Sequence, residues 1–366
     1  MKTYNQLKYV IFFLVMLVVV LALQSTALKT NAESLEIKRV RAKVTDVIYK
    51  KEDHQCVELI ILEGIYKNKK FKVDFYSTFN FYGITLRESD EVFVTISLDE
   101  GKEVKSITIT NIARDKYMLY LFLAFTTILL LIGGFRGFRS IISLIITYFM
   151  IIKILLPLII QGYNPIYITL ILCSINTVIS LILIGGFNIK TFSSILGTLC
   201  GLIASAYLAI IFGSLSHITG IVGDEFYLMQ YLPLKSSFSY QGLLFSGIII
   251  GSLGAVMDVS MSIASVINEL KEHSHNISPF KLIKAGMNVG KDTIGTMTNT
   301  LILAYAGGAI DMLIIAVAEN NSMYNLINQE VIATEILRTM AGSIGLLITV
   351  PLTAVFSGLL IYKKYS

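Results

Sequence analysis

Hydrophobic residues follow two different rhythms along this chain. Between residues 28 and 115 the period is two. Val57, Leu59 and Ile61 alternate with Glu58 and Ile60; Phe71, Val73 and Phe75 alternate with Lys72 and Asp74; Ile107 and Ile109 alternate with Thr108 and Thr110. Together with 38–49 and 91–98, this pattern predicts about five short strands joined by turn segments such as EGIYKNKK. Elsewhere the pattern is one of long apolar runs. Eight of them can span a bilayer: 9–27, 117–134, 140–160, 166–184, 192–214, 241–267, 294–317 and 337–361, since about 20 apolar residues cover a hydrocarbon core of about 30 Å. The expected fold is an α-helical polytopic membrane protein of about eight transmembrane helices. It carries a small extracytoplasmic β-barrel-like domain of OB or related type. The chain then has three parts: an N-terminal anchor or signal segment at 1–27, the β domain at 28–115, and a seven-helix bundle at 116–366.

Composition agrees with the second rhythm. The chain has 366 residues, 54% hydrophobic and 15% charged, with a mean hydropathy of +0.71, which excludes an ordinary soluble domain. Charge adds orientation when it is read by position. The segments between spans that carry Arg136 and Arg139, then Lys190, then Lys271, Lys281, Lys284 and Lys291, and the tail with Lys363 and Lys364, are basic. The intervening segments are neutral or acidic, with Asp224, Glu225, Glu319, Glu330 and Glu335. Lys and Arg favour the cytoplasmic side, so both termini are expected in the cytoplasm and 28–115 outside it. The first segment, with Lys2 and Lys8 before an apolar run that ends in LALQSTALKTNAES, reads either as an anchor or as a cleaved signal peptide. Both readings put the β module outside.

Two neighbouring spans hold polar groups where lipid forbids them. In the sixth, Gly247, Gly251, Gly254, Asp258, Ser262, Ser265 and Glu269 recur at three- and four-residue spacing, along one helical stripe. Glycines on a stripe let another helix approach closely, so Gly247, Gly251 and Gly254 are expected to carry a helix contact. In the seventh, Asp292, Thr296 and Asn299 share a face, and Asp311 lies nearer the outer surface, with Lys153 as its candidate partner. An ionisable group at membrane depth costs a few kcal/mol or more unless it faces a cavity or a partner. The candidate substrate or ion site is therefore Asp258, Ser262, Asn299, Thr296, Asp292 and Asp311. The bland alternative is a hydrogen-bonded pair joining two helices.

Other chemistry is thin. Three cysteines, Cys56, Cys173 and Cys200, offer neither a disulfide framework nor a CxxC metal pattern. His273 and His275 read as a solvated loop, and His217 with Asp224 and Glu225 as a weak outer cation cluster. No Walker loop, HExxH or GxSxG occurs. No catalytic residue, metal or cofactor is expected. The basic residues of the β module are interleaved with acids, which argues against nucleic acid. Residues 215–240 and 277–293 read as interfacial elements, the latter with Lys281 and Lys284 near anionic lipid. A short echo links LLLIGGFRGF at 129–138 with LILIGGFNIK at 181–190; a tandem duplication or coincidence in glycine-rich helix ends would each produce it.

GAVMDVSMSIASVINEL at 254–270 and VGKDTIGTMTNTLILAYAGG at 289–308 resemble the signature segments of the YibE/F-like bacterial membrane proteins. LLIGGFRGFRSIISL, LLPLIIQGYNP and TGIVGDEFYLMQYL resemble its earlier helices and outer loop. The resemblance covers roughly 40–361 and implies a multi-pass membrane protein; it carries no activity across. Function rests on the residues: a permease or transporter with an intramembrane polar site near Asp258 and Asn299. The alternative is a non-transporting scaffold or sensor whose β domain binds an extracytoplasmic partner, and a third reading is an intramembrane hydrolase. The expected partners are the lipid bilayer, a small solute or ion, and either an extracytoplasmic protein or a second copy as a homo-oligomer.

Overall fold

The computed structural model describes residues 38–51, 54–76, 84–98, 104–222, 229, 239–274, 276–318 and 322–364. The first predicted span, 9–27, lies outside them, as do Asp224, Glu225, His275 and Glu319. The chain divides into two compact units. One comprises residues 28–132, the other 1–27 with 133–366.

The first unit contains a five-stranded antiparallel sheet. Its strands are β1 (Lys38–Lys51), β2 (His54–Ile61), β3 (Lys70–Tyr76), β4 (Glu91–Leu98) and β5 (Val104–Ile112), in the order β3-β2-β1-β4-β5. Period-two alternation does what it predicts. Along β2, Gln55, Val57, Leu59 and Ile61 point inward, and Val73 and Phe75 of β3 join them. The long β1 pairs with β2 on one side and β4 on the other. Register shifts at Val44/Asp46 and Val47/Tyr49 mark bulges, which bend a strand and strengthen its twist. The sheet curls until β3 and β5 touch, making a half-barrel around Val44, Val57, Leu59, Val92, Val94 and Ile96. Gln55, 4% exposed, exchanges two hydrogen bonds with the Leu86 backbone. Leu86 N–H donates to Oε1 at 2.8 Å, and Nε2 donates to Leu86 C=O at 3.2 Å. That pair holds the segment before β4 against the core.

Helix α1 (Asp115–Met150) follows the sheet. Arg41 donates to Glu91 at 3.0 Å and to Asp115, tying β1 to the start of the helix. The run continues through a π-helical turn at Ile151–Leu155 into α2 (Leu156–Ile160). It is interrupted at Gly134, whose φ of 51° and ψ of −131° are not helical. The spans predicted at 117–134 and 140–160 thus fall on either side of this break. Its equivalent in the echoed motif, Gly186, caps the helix α3 (Pro165–Gly185) with φ 79°. Both second glycines of the echo are therefore break points, which requires glycine on conformational grounds alone.

In the second unit, α3 starts at an Asn164 cap followed by Pro165, and α4 (Ile189–Leu215) at an Asn188 cap that accepts from Thr191 N–H at 2.9 Å. Helix α5 (Tyr240–His273) starts at Ser239, and α6 (Pro279–Gly308) at Ser278 with Pro279 in its first turn. These are the residue types that satisfy or forgo the free N–H groups of a first turn. Short α7 (Ile310–Ala318) and α8 (Met323–Asn328) lead to α9 (Glu330–Lys364). Helices α4, α5 and α9 pack together at the centre; α6 lies against α5 and α9, and α3 against α4 and α5.

Five helices among the described residues are long and apolar enough to cross a membrane, rather than the eight segments expected: Asp115–Ile160, α3, α4, α5 and Glu330–Lys363. The segment predicted at 294–317 is broken at Ala309 between α6 and α7. The element predicted at 277–293 and the span predicted from 294 are joined in one helix, α6, which runs to Gly308. Proline at 279, rather than within 293–294, explains where that helix begins.

The closest helix contact is between α4 and α9. Ser193, Gly197, Gly201, Ser205, Ala209 and Gly213 repeat every four residues on α4, and Ala341, Gly345, Thr349, Thr353 and Ser357 do so on α9. The two ladders run antiparallel and interlock. A Cβ at Gly197 would fall 1.9 Å from Thr353 Oγ1, and one at Gly345 would fall 2.8 Å from Ser205 Cβ. The hydroxyls of Ser205, Thr353 and Ser357 are buried there without a protein hydrogen bond. Small size rather than hydrogen bonding sets the contact.

Candidate functional site

Helix α5 has two faces. Ser252, Val256, Val259, Ser260, Ile263 and Ile267 are buried toward its neighbours. Thr198 of α4 lies 2.7 Å from Ser260 Oγ, a hydroxyl pair between the two helices. The opposite stripe, Gly247, Gly251, Gly254, Asp258, Ser262 and Glu269, is exposed, with Ser265 half-buried beside it. The expected stripe is therefore real, and it faces outward. Gly251 alone of the three glycines meets another helix: a Cβ there would lie 2.3 Å from Tyr305 Oη of α6. At Gly247 and Gly254 a Cβ would meet nothing within 4 Å, so the helix contact expected of them is not made among the described residues.

Helix α6 packs by Leu282, Gly286, Gly290 and Leu301. Gly286 abuts Ile267 and Gly290 abuts Ile263, while Tyr305 reaches Gly251. This antiparallel register puts Asp258 level with residues 295–298 of α6, and so close in depth to Asn299. Depth is the extent of the match. Asp292, Thr296 and Asn299 are all exposed and lie on the side of α6 away from its packed face. Asp311 is exposed in the first turn of α7. Lys153 is exposed in the π-helical turn, and no ion pair joins it to Asp311. The pairing expected of these two is corrected on that ground.

Beside the stripe is a cavity of about 390 Å³ between α1, α3 and α5, reached by Gly254 and Met257. Its polar groups are neutral. Ser143 donates to Ser180 Oγ at 2.7 Å. Thr147 Oγ1 lies 2.9 Å from Ser143 C=O and 3.0 Å from Asn176 Oδ1. One hydroxyl proton serves only one acceptor, and Asn176 makes no other hydrogen bond among the described residues. One end of a carboxamide that is 5% exposed thus has no protein partner on this cavity wall. Ile151 and Leu155 of the π-helical turn also line it, and such turns recur at functional sites. The rest of the wall is aliphatic, and no charged side chain among the described residues reaches it.

A second polar group went unread in the sequence. Arg338 of α9 pairs with Glu335 at 3.1 Å and lies 6.0 Å from the centre of the Tyr305 ring. Tyr305 in turn covers Gly251. Glu335 counts by position as a loop acid, but the structure puts it inside α9. The signal was an ExxR spacing, which aligns two opposite charges on one helix face. Nearer the start of α9, Glu330 accepts from Thr219 N–H at 2.7 Å, Thr219 Oγ1 at 2.6 Å and Gly220 N–H at 3.2 Å. His217, with φ 52°, and Glu330 share the wall of a larger cavity of about 740 Å³ between the ends of α4 and α9. No group of three or more His, Cys, Asp or Glu side chains suited to a metal occurs among the described residues.

A model of the YibE/F-like protein family matches residues 121–363, from within α1 to the end of α9. No curated protein and no solved structure matches the chain.

Proposed function

The chain belongs to the YibE/F-like family, and from that premise we propose that it is a permease of the bacterial cytoplasmic membrane. Its solute or ion passes the outward stripe of α5 at Asp258 and Ser262. One observation carries the reading. Asp258 is an exposed carboxylate in the middle of an apolar spanning helix, one turn from Gly254, which opens onto a cavity. A charge at that depth is held only where water, an ion or a solute reaches it. The polar wall at Thr147, Asn176 and Ser180 would bind a neutral group next to the charged one. An even number of spans, eight if 9–27 and two crossings by Asp115–Ile160 are counted, would put both termini on one side of the membrane, and the basic segments favour the cytoplasmic side. The β domain then lies outside. Its strand order and the approach of β3 to β5 support an OB-type barrel left open on one side. No enzymatic step is assigned.

Asp258→Asn tests the reading. The amide keeps the shape and most hydrogen bonds and deletes the charge. Expressed at parental level, the variant is expected to insert and fold but to lose pH-dependent flux in proteoliposomes, with Asp311→Asn milder. Full flux from Asp258→Asn would remove the charge-dependent site and favour a scaffold or sensor acting through the β domain.

A further inference from the structure

The outward face of α6 is charged where its inward face packs against the middle of α9, a helix long and apolar enough to span. Gly290 abuts Val350, and Gly358 abuts Ile283, so α6 runs antiparallel to α9 at the same level. Val350 precedes Lys363 by 13 residues, or about 20 Å of helix. From the level of Gly358 through that of Val350 and beyond, α6 exposes Lys284, Asn288, Lys291, Asp292, Thr296 and Asn299, of which Lys291 and Asp292 adjoin Gly290. None of them makes a hydrogen bond or ion pair to another side chain among the described residues. Lipid does not accommodate such a face. The apolar segments elsewhere in the chain bring nothing to match it. Tyr9–Leu23 contains no charged residue. In residues 117–132 the polar side chains beyond tyrosine are Thr126 and Thr127, whose hydroxyls donate to their own helix.

The face is complementary to itself. Lys291 and Asp292 are adjacent, so they stand at one level and about 100° apart around the helix. Asn288 and Gly295 fall between them on the helical wheel. A two-fold axis along the membrane normal juxtaposes equal levels of two chains and makes a self-complementary contact. We propose that two copies of this chain pair through the outward faces of α6, Lys291 of each meeting the partner subunit's Asp292 across Gly295. Gly295 has nothing within 4 Å of its Cβ position, so two helices can approach there at backbone distance. This pairing is independent of the flux assigned to α5, because it covers α6 and leaves Asp258 open.

The test uses the full chain in native membranes, with Cys56, Cys173 and Cys200 replaced by serine and Gly295→Cys added. Copper-phenanthroline oxidation is expected to give a covalent dimer, while Gly254→Cys in the same background gives none. Lys291→Asp leaves two acids on the face and Asp292→Lys leaves two bases. Each alone is expected to lower the dimer band about tenfold or more. Co-expressed with different tags, the two are expected to restore it as mixed dimers, since each base then meets an acid. Restoration in trans separates lost pairing from lost folding. A monomeric parent by mass photometry, dimer bands indifferent to charge, or no mixed dimer on co-expression would each overturn the proposal. Cross-linking of Gly295→Cys to a band of another mass would overturn it too, by assigning the face to a different protein.

Discussion

Gly201→Ala adds one methyl group at the tightest point of the α4–α9 contact. Its Cβ would fall 1.8 Å from Thr349 Oγ1, 2.9 Å from Val256 Cγ1 and 3.0 Å from Gly345 C=O. The first clash can be relieved if Thr349 turns, but Thr349 then loses its 2.9 Å hydrogen bond to Gly345 C=O, worth about 1 kcal/mol. The third is with backbone and is relieved only if the helices separate. Overpacking of this kind costs about 1–3 kcal/mol, and alanine returns about 1 kcal/mol in helix propensity. The net expectation is a loss of about 2–3 kcal/mol, toward the upper end because backbone is involved. Gly254→Ala is the matched comparison: nothing lies within 4 Å, so it should be neutral or stabilising. Unfolding of the purified protein by SDS titration, followed by far-UV circular dichroism, measures both. If Gly201→Ala unfolds with the parent, or Gly254→Ala is the more damaged, the assignment of which glycine stripe holds helices together is wrong.

Three further outcomes concern the first unit and the orientation. Gln55→Leu leaves the Leu86 N–H and C=O buried without partners and is expected to cost about 2–4 kcal/mol, seen as faster tryptic cleavage after the exposed Arg87; an unchanged rate would mean the segment is held otherwise. Glu58 accepts from Lys70 Nζ at 2.9 Å and Thr45 Oγ1 at 3.1 Å, and the Lys70 bond foremost holds its carboxyl below the usual range. A lowered folded value means the contribution is complete above the unfolded carboxylate's range and lost as pH falls through the folded value. Glu58→Gln should flatten the acid limb of sheet stability, and an identical limb would rule this pair out as its source. Cysteines introduced at Ile65 and Arg136 should react with an impermeant maleimide from outside at the first position only; the reverse pattern would invert the topology.

Much of the fold was legible because its signals are periodic. The β module follows from alternation alone, since Val57, Leu59, Ile61, Val73 and Phe75 all point inward as their spacing requires. What alternation does not encode is closure, which depends on bulges at Val44 and Val47 and on Gln55 reaching Leu86. In the helical part, apolar runs mark the segments, but run length does not mark the breaks. Gly134 and Ala309 divide or merge elements through local backbone geometry. The continuity of α6 across 293–294 was hidden because a polar first half resembles a surface helix. Only its packing against Val350 and Gly358 shows its level along α9.

The two small-residue stripes explain why the site was half legible. Both have glycines at helical spacing, and spacing alone says only that something can approach. On α4 the approach is taken by α9, whose own ladder of Gly345, Thr349 and Thr353 matches it rung for rung. On α5 no described helix presents such a ladder to Gly247 and Gly254. A matched ladder elsewhere in the chain thus separates a structural stripe from an open one, and it could be sought from sequence. Asp258 lies on the open stripe. Had a helix closed over it as α9 closes over α4, the carboxylate would need a cation or donor from that helix. No described helix covers Gly254, one turn from Asp258, and Gly254 lines a cavity that also holds the Asn176 carboxamide. The missing ladder and the tolerated charge are therefore one observation seen twice. Closing the stripe artificially with Gly254→Leu should leave stability near parental, read by the same SDS titration, while hindering whatever passes Asp258 in the flux assay. Parental flux at parental stability would detach the open stripe from transport.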